Sequence, residues 1–213
     1  NTIAESGTTG GNIIVQSGES VLTSSGALTM ATPNAGIAGV SGNIGLTTGT
    51  SSVGNSGTIA FTTGKSTGGK GGSITLSVGE GKTGAGGDVI INAGVSSTSD
   101  SIGGEVRIQS GKGTSKSSGA VSISTADGGT AGVSGNIGLT TGDTADGNTG
   151  TIAFTTGKST GGKGGSITLS VGEGNTGVGG DVTINAGITS ASDNIGGAIT
   201  IASGKGTATS SGA

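Results

Sequence analysis

Lysine and serine stand beside glycine at Gly64-Lys65-Ser66 and again at Gly157-Lys158-Ser159. A G-x-G-x-x-G spacing follows each, at Gly79, Gly81 and Gly84 and at Gly172, Gly174 and Gly177. Such groups hold phosphate when a glycine loop leads into a helix whose first amides face the anion. The first motif fails on spacing, because a phosphate loop needs four residues between its two glycines and six separate Gly57 from Gly64. The second keeps its spacing, but an alternating apolar run follows where a helix is required. With 52 glycines in 213 residues, a triplet of this kind arises by chance.

Other chemistry is thinly supplied. Cysteine and histidine are absent, which removes disulfides, thiolate metal sites, cysteine nucleophiles and the imidazole base. A Ser-Lys pair at Ser66 and Lys65 falls in a turn with no apolar pocket to lower the lysine's pKa. Asp88 and Asp181 occur too rarely for a calcium roll, whose nonapeptides each carry an aspartate. Neither an enzyme nor a cofactor is expected, and no catalytic, cofactor-binding or metal-ligating residue is assigned.

A formal charge of −3, with nine basic and twelve acidic residues, leaves no basic footprint for nucleic acid. Phe61 and Phe154 are the only aromatics on which a base could stack. No apolar run is long enough to span a membrane. N-glycosylation sequons are missing, while the many Ser and Thr hydroxyls offer acceptors for O-linked glycan.

What must position these residues is a repeat. Cutting after each glycine that precedes an alternating apolar run gives segments 12–26, 27–42, 43–57, 58–72, 73–87, 88–104, 105–119, 120–135, 136–150, 151–165, 166–180, 181–197 and 198–212. Most have 15 residues, and the 16- and 17-residue ones recur in order. Residues 27–119 and 120–212 are therefore two copies of a 93-residue, six-segment unit, identical at 67 of 93 positions, and 1–26 matches its end. Beginning and ending partway through a repeat, the sequence reads as a window onto a longer protein.

Within a segment, positions 2, 4 and 6 alternate to one face of an extended run. Position 2 is always Ile, Val or Leu, and position 4 is always large and apolar. This pattern predicts an all-β fold, a parallel β-solenoid (β-helix) of about 13 coils running continuously through 1–213. The columns Ile44, Leu46, Ile59, Phe61, Ile74, Leu76, Val89, Ile91, Ile137, Leu139, Ile152, Phe154, Ile167 and Leu169 are its expected core. Glycines at positions 7 and 15 are expected to allow positive φ at corners and close approach of the walls. At position 8, Lys65 and Glu80, and then Asp143, Lys158 and Glu173, alternate in sign as a charge ladder between stacked coils would.

The string "SGNIGLTTG…GNSGTIAFTTGKSTGGKGGSITLSVGEGKTGAGGDVIINAG…GGEVRIQSGKGT…SSGAV" resembles the large Gly/Ser/Thr-rich repeat proteins of diatoms and related algae. The resemblance covers the whole chain through its six-segment order. It implies a secreted or cell-surface structural or adhesive role and carries over no active-site residue. Departures between the copies, such as Pro33 against Ala126, fall in loops.

The expected function is mechanical: an extracellular rod or filament of a matrix, adhesive, appendage or coat, with the chain itself as its partner. Two alternatives come from other classes. An ice-binding solenoid needs a flat Thr lattice, which positions 3 and 5 interrupt with Gly45, Ala60, Ile90, Asn92, Arg107 and Gln109. A cell-surface adhesin or ligand-binding repeat would use the loops of the longer segments, at 33–41, 95–102, 126–134 and 188–195.

Overall fold

A computed structural model describes residues 10–98 and 101–206. Residues 1–9 of the partial super-repeat, 99–100 of the loop 95–102 and 207–212 of the final segment lie outside the described residues. Among the described residues there is neither helix nor strand, so the expected β-solenoid is not seen there. A strand exists only where its amides and carbonyls meet a neighbour about 4.8 Å away, and no such ladder links one described segment to the next. The composition explains this outcome. One residue in four is glycine, which raises the entropy lost on ordering, and two large apolar side chains per segment do not offset it.

The period survives as a series of closed loops. The backbone bends sharply at 21–23, 37–39, 52–54, 67–69, 82–84, 114–116, 130–132, 145–147, 160–162, 175–177 and 191–193, at the same place in each segment to within a residue. Behind each bend the chain returns to meet itself. The amide of the closing glycine donates to the carbonyl of position 7 at Gly26 to Gly18 (2.9 Å), Gly104 to Gly94 (2.8 Å), Gly119 to Gly111 (3.0 Å) and Gly197 to Gly187 (2.8 Å).

Segment length is absorbed inside these loops. In the 15-residue segments the bond closes over eight positions, as from Gly111 to Gly119, and in the 17-residue segments over ten, as from Gly94 to Gly104. The two extra residues sit between the clamp ends and leave the clamp intact. Loop-closure entropy changes little over such an increment, about 0.2 kcal/mol, so the longer segments cost almost nothing.

The described chain forms two compact units, Asn1–Arg107 and Ile108–Ala213. In the first, segments 12–26 and 88–104 close through the backbone bonds at Gly26 and Gly104; in the second, segments 105–119 and 181–197 close through those at Gly119 and Gly197.

No core sits inside these loops. The expected core residues Ile44, Leu46, Ile59, Phe61, Ile74, Leu76, Val89, Ile91, Ile137, Leu139, Ile152, Phe154, Ile167 and Leu169 are all 46 to 77% exposed. They lack a second wall to pack against. A gradient nevertheless follows the sequence register, for Ile59 and Ile152 at position 2 are 46% exposed while loop-tip residues such as Val53 and Val178 exceed 90%. The total exposed area is 20966 Å². A compact monomer of 19.4 kDa exposes about 8500 Å², so the isolated chain shows roughly two and a half times that area.

Candidate functional site

The feature that recurs with chemistry attached is the segment clamp, built from position 6 and the closing glycine. Side-chain hydroxyls at position 6 donate to the closing glycine's carbonyl: Ser17 Oγ to Gly26 (2.8 Å), Thr32 Oγ1 to Gly42 (3.0 Å), Thr63 Oγ1 to Gly72 (3.3 Å) and Thr156 Oγ1 to Gly165 (3.4 Å). At Ser17 the hydroxyl and the Gly26 amide bond reinforce one closure from both sides of the same residue. The hydroxyl is thereby committed to its own loop.

Where position 6 carries no hydroxyl, packing replaces the bond. A Cβ added at Gly87 would stand 2.9 Å from Val78 Cγ1, and one added at Gly180 would stand 2.9 Å from Val171 Cγ1. At Gly104 the same atom would meet the Gly94 amide nitrogen at 3.1 Å and Ala93 Cβ at 3.3 Å. Close approach is thus the reason for glycine at residues 87, 104 and 180, whereas Cβ atoms added at Gly26 and Gly119 would meet their nearest neighbours at an ordinary 3.5 and 3.6 Å. Position 7 differs from the expectation, since Cβ atoms added at Gly49, Gly64, Gly79 and Gly94 would meet nothing within 4 Å. Positive φ also falls elsewhere: among the described residues it occurs at Gly54 (150°) and Gly147 (105°), equivalent bend positions 93 residues apart.

Ser66 accepts a hydrogen bond from the Gly69 amide (2.9 Å), so its hydroxyl caps the bend at 67–69. Ser159 occupies the equivalent place, 3.5 Å from where a Cβ on Gly162 would lie. The Gly79, Gly81, Gly84 triplet makes the bend at 82–84, with Gly81 pressed against the returning carbonyl of Ala85, which a Cβ there would approach to 2.6 Å. In the second copy a Cβ on Gly174 would stand an ordinary 3.4 Å from the Val178 carbonyl oxygen.

Lys65, Glu80, Asp143, Lys158 and Glu173 are exposed, and among the described residues no ion pair joins them. A charge ladder needs neighbouring strands to hold side chains of successive segments opposite one another, and those strands are lacking. Among the described residues no three of His, Cys, Asp and Glu come together as a metal site, and no helix is long and apolar enough to cross a membrane.

One cavity, of about 180 Å³, lies against Phe154, Ile167, Thr168 and Leu169. Phe154 and Leu169 hold position 4 in successive segments, so the loops 151–165 and 166–180 lie side by side there with apolar faces toward a shared gap. Its lining carries one polar side chain, the Thr168 hydroxyl.

Sequence reasoning missed the clamp. The signal was present in position 6, restricted to Ser, Thr, Val and Ala in the described segments, always nine to eleven residues before a segment-closing glycine. No protein-family model matches the chain, and neither does any curated protein or solved structure compared with it.

Proposed function

We propose that this chain is a structural protein of the extracellular space or cell surface, a repeat that reaches its working state by associating with copies of itself into a filament or coat. The observation that carries this reading is the exposure of its apolar columns: no described residue is buried, while Ile, Leu, Val, Phe and Met fill positions 2 and 4 of the described segments. Apolar area removed from water is the main favourable term available to such a chain. The chain's total exposed area exceeds that of a compact monomer by roughly 12000 Å², far beyond the 1200 to 2000 Å² that one standard interface covers. Many copies in repeated contact, rather than one dimer, are needed to shelter it.

Repetition suits that arrangement, because a contact made by one segment is available again at the next and once more 93 residues on. The gap beside Phe154 and Leu169 is of a size to accept an apolar side chain from another copy. Electron microscopy of the concentrated protein tests the reading: extended assemblies of uniform width support it, and discrete single particles at every concentration contradict it. Ice shaping by those single particles, or retention of one surface ligand by them, would move the assignment to the ice-binding or adhesin class.

A further inference from the structure

Two Asp-Gly links occur in the chain, Asp127-Gly128 and Asp146-Gly147. Such a link is the most easily cyclised of aspartyl peptides because glycine puts no side chain in the way of the attacking nitrogen. Their surroundings differ. At Gly128 an added Cβ would lie 2.9 Å from both the Gly132 carbonyl oxygen and the Val133 carbonyl carbon, so the returning backbone hems the link in. At Gly147 an added Cβ would meet nothing within 4 Å, and φ is +105°, in the bend at 145–147. Both links are exposed to water, and the second has open space around its glycine.

A third observation concerns the amide itself. Thr144 Oγ1 donates a hydrogen bond of 3.0 Å to the backbone carbonyl of Asp146. That carbonyl and the Gly147 N–H belong to one peptide group. A donor on its oxygen withdraws electron density and makes the N–H more acidic, and this proton must leave before the nitrogen can attack.

We propose that Asp146 is a self-modification site, where the Asp146-Gly147 link passes through a succinimide to isoaspartate. The Gly147 nitrogen attacks Asp146 Cγ; an N–Cγ bond forms, the carboxyl's C–OH bond breaks, and the hydroxyl leaves as water with the amide proton. Water then adds back at one of the two ring carbonyls. Addition at the α-carbonyl breaks its bond to nitrogen and leaves the main chain running through Cγ, which is isoaspartate. One water is lost and one regained, so no co-reactant is required. The Thr144 hydroxyl rests on that α-carbonyl and polarises it for the second step as well. In the first copy Ser51 and Val53 stand at the positions of Thr144 and Asp146, so the site belongs to one copy only.

The test ages the full chain in mildly acidic buffer, then labels it with an isoaspartyl methyltransferase and maps the peptides by fragmentation that distinguishes the two isomers. Isoaspartate should accumulate at Asp146 about fivefold faster than at Asp127, the rate equivalent of one ordinary hydrogen bond. Thr144→Val should lower the rate at Asp146 by a similar factor without altering Asp127, and Thr144→Ser should restore it. Equal accumulation at the two links, or a Thr144→Val chain that isomerises at the original rate, overturns the proposal.

Discussion

Val78 lies over Gly87 so closely that a Cβ on the glycine would stand 2.9 Å from the valine's Cγ1, and Val171 repeats this over Gly180. Eight residues separate each pair, and between them the chain leaves, bends and returns. An alanine at residue 87 must push either the valine or the returning backbone aside. Gly87→Ala should therefore weaken closure of that loop by about 1 to 3 kcal/mol, the usual range for overpacking. The check is the nuclear Overhauser contact between the residue 78 methyls and residue 87, which the substitution should abolish and an added Val78→Ala should restore. Gly79→Ala, where the space is open, should leave it unchanged.

Amide exchange should reveal the same clamps. The amides of Gly26, Gly104, Gly119 and Gly197 donate across their loops, and one exposed hydrogen bond corresponds to about fivefold slowing. Those four should exchange more slowly than the amides of the bends at 82–84 and 175–177; the bend amides of Thr23, Gly69 and Gly132 differ in donating hydrogen bonds of their own. Ser17→Ala, which removes the hydroxyl bond to Gly26, should bring the Gly26 amide closer to the bend rate while leaving Gly119 unaffected.

Shortening a long segment should be tolerated. Deleting Ser96 and Ser97 would convert the ten-residue closure of Gly94 and Gly104 into the eight-residue closure seen at Gly111 and Gly119. The entropy difference is about 0.2 kcal/mol. Protection of the Gly104 amide should survive the deletion, whereas removal of Gly104 itself should end it.

Salt should have little effect on loop closure, because Lys65, Glu80, Asp143, Lys158 and Glu173 hold no ion pair with one another. Amide exchange at the clamp glycines measured from low to high ionic strength should stay constant. A marked loss of protection as the Debye length shrinks would show that charge contributes to closure.

The 15-residue period was legible in the sequence, and the bends at 52–54, 67–69 and 82–84 recur at that spacing. Strand pairing was not legible. Alternation at Ile59 and Phe61 states which side chains share a face, but it does not supply the neighbour whose amides would complete a ladder. The position of positive φ was also misjudged, falling at the bend residues Gly54 and Gly147 instead of at segment corners. Composition hid the site at Asp146, since its meaning depends on the Thr144 hydroxyl lying against one carbonyl, which residue types alone do not specify.

Sedimentation velocity over a wide concentration series tests self-association most directly, run on the native chain and on a chain carrying Phe61→Ser and Phe154→Ser. Each exposed phenylalanine that becomes buried between copies contributes about 1.5 to 3 kcal/mol, or roughly 10- to 100-fold in association. The account predicts a sedimentation coefficient that climbs with concentration for the native chain, with the climb displaced to far higher concentration in the double variant. A native chain that sediments as a monomer throughout, or a double variant that assembles equally well, would contradict it.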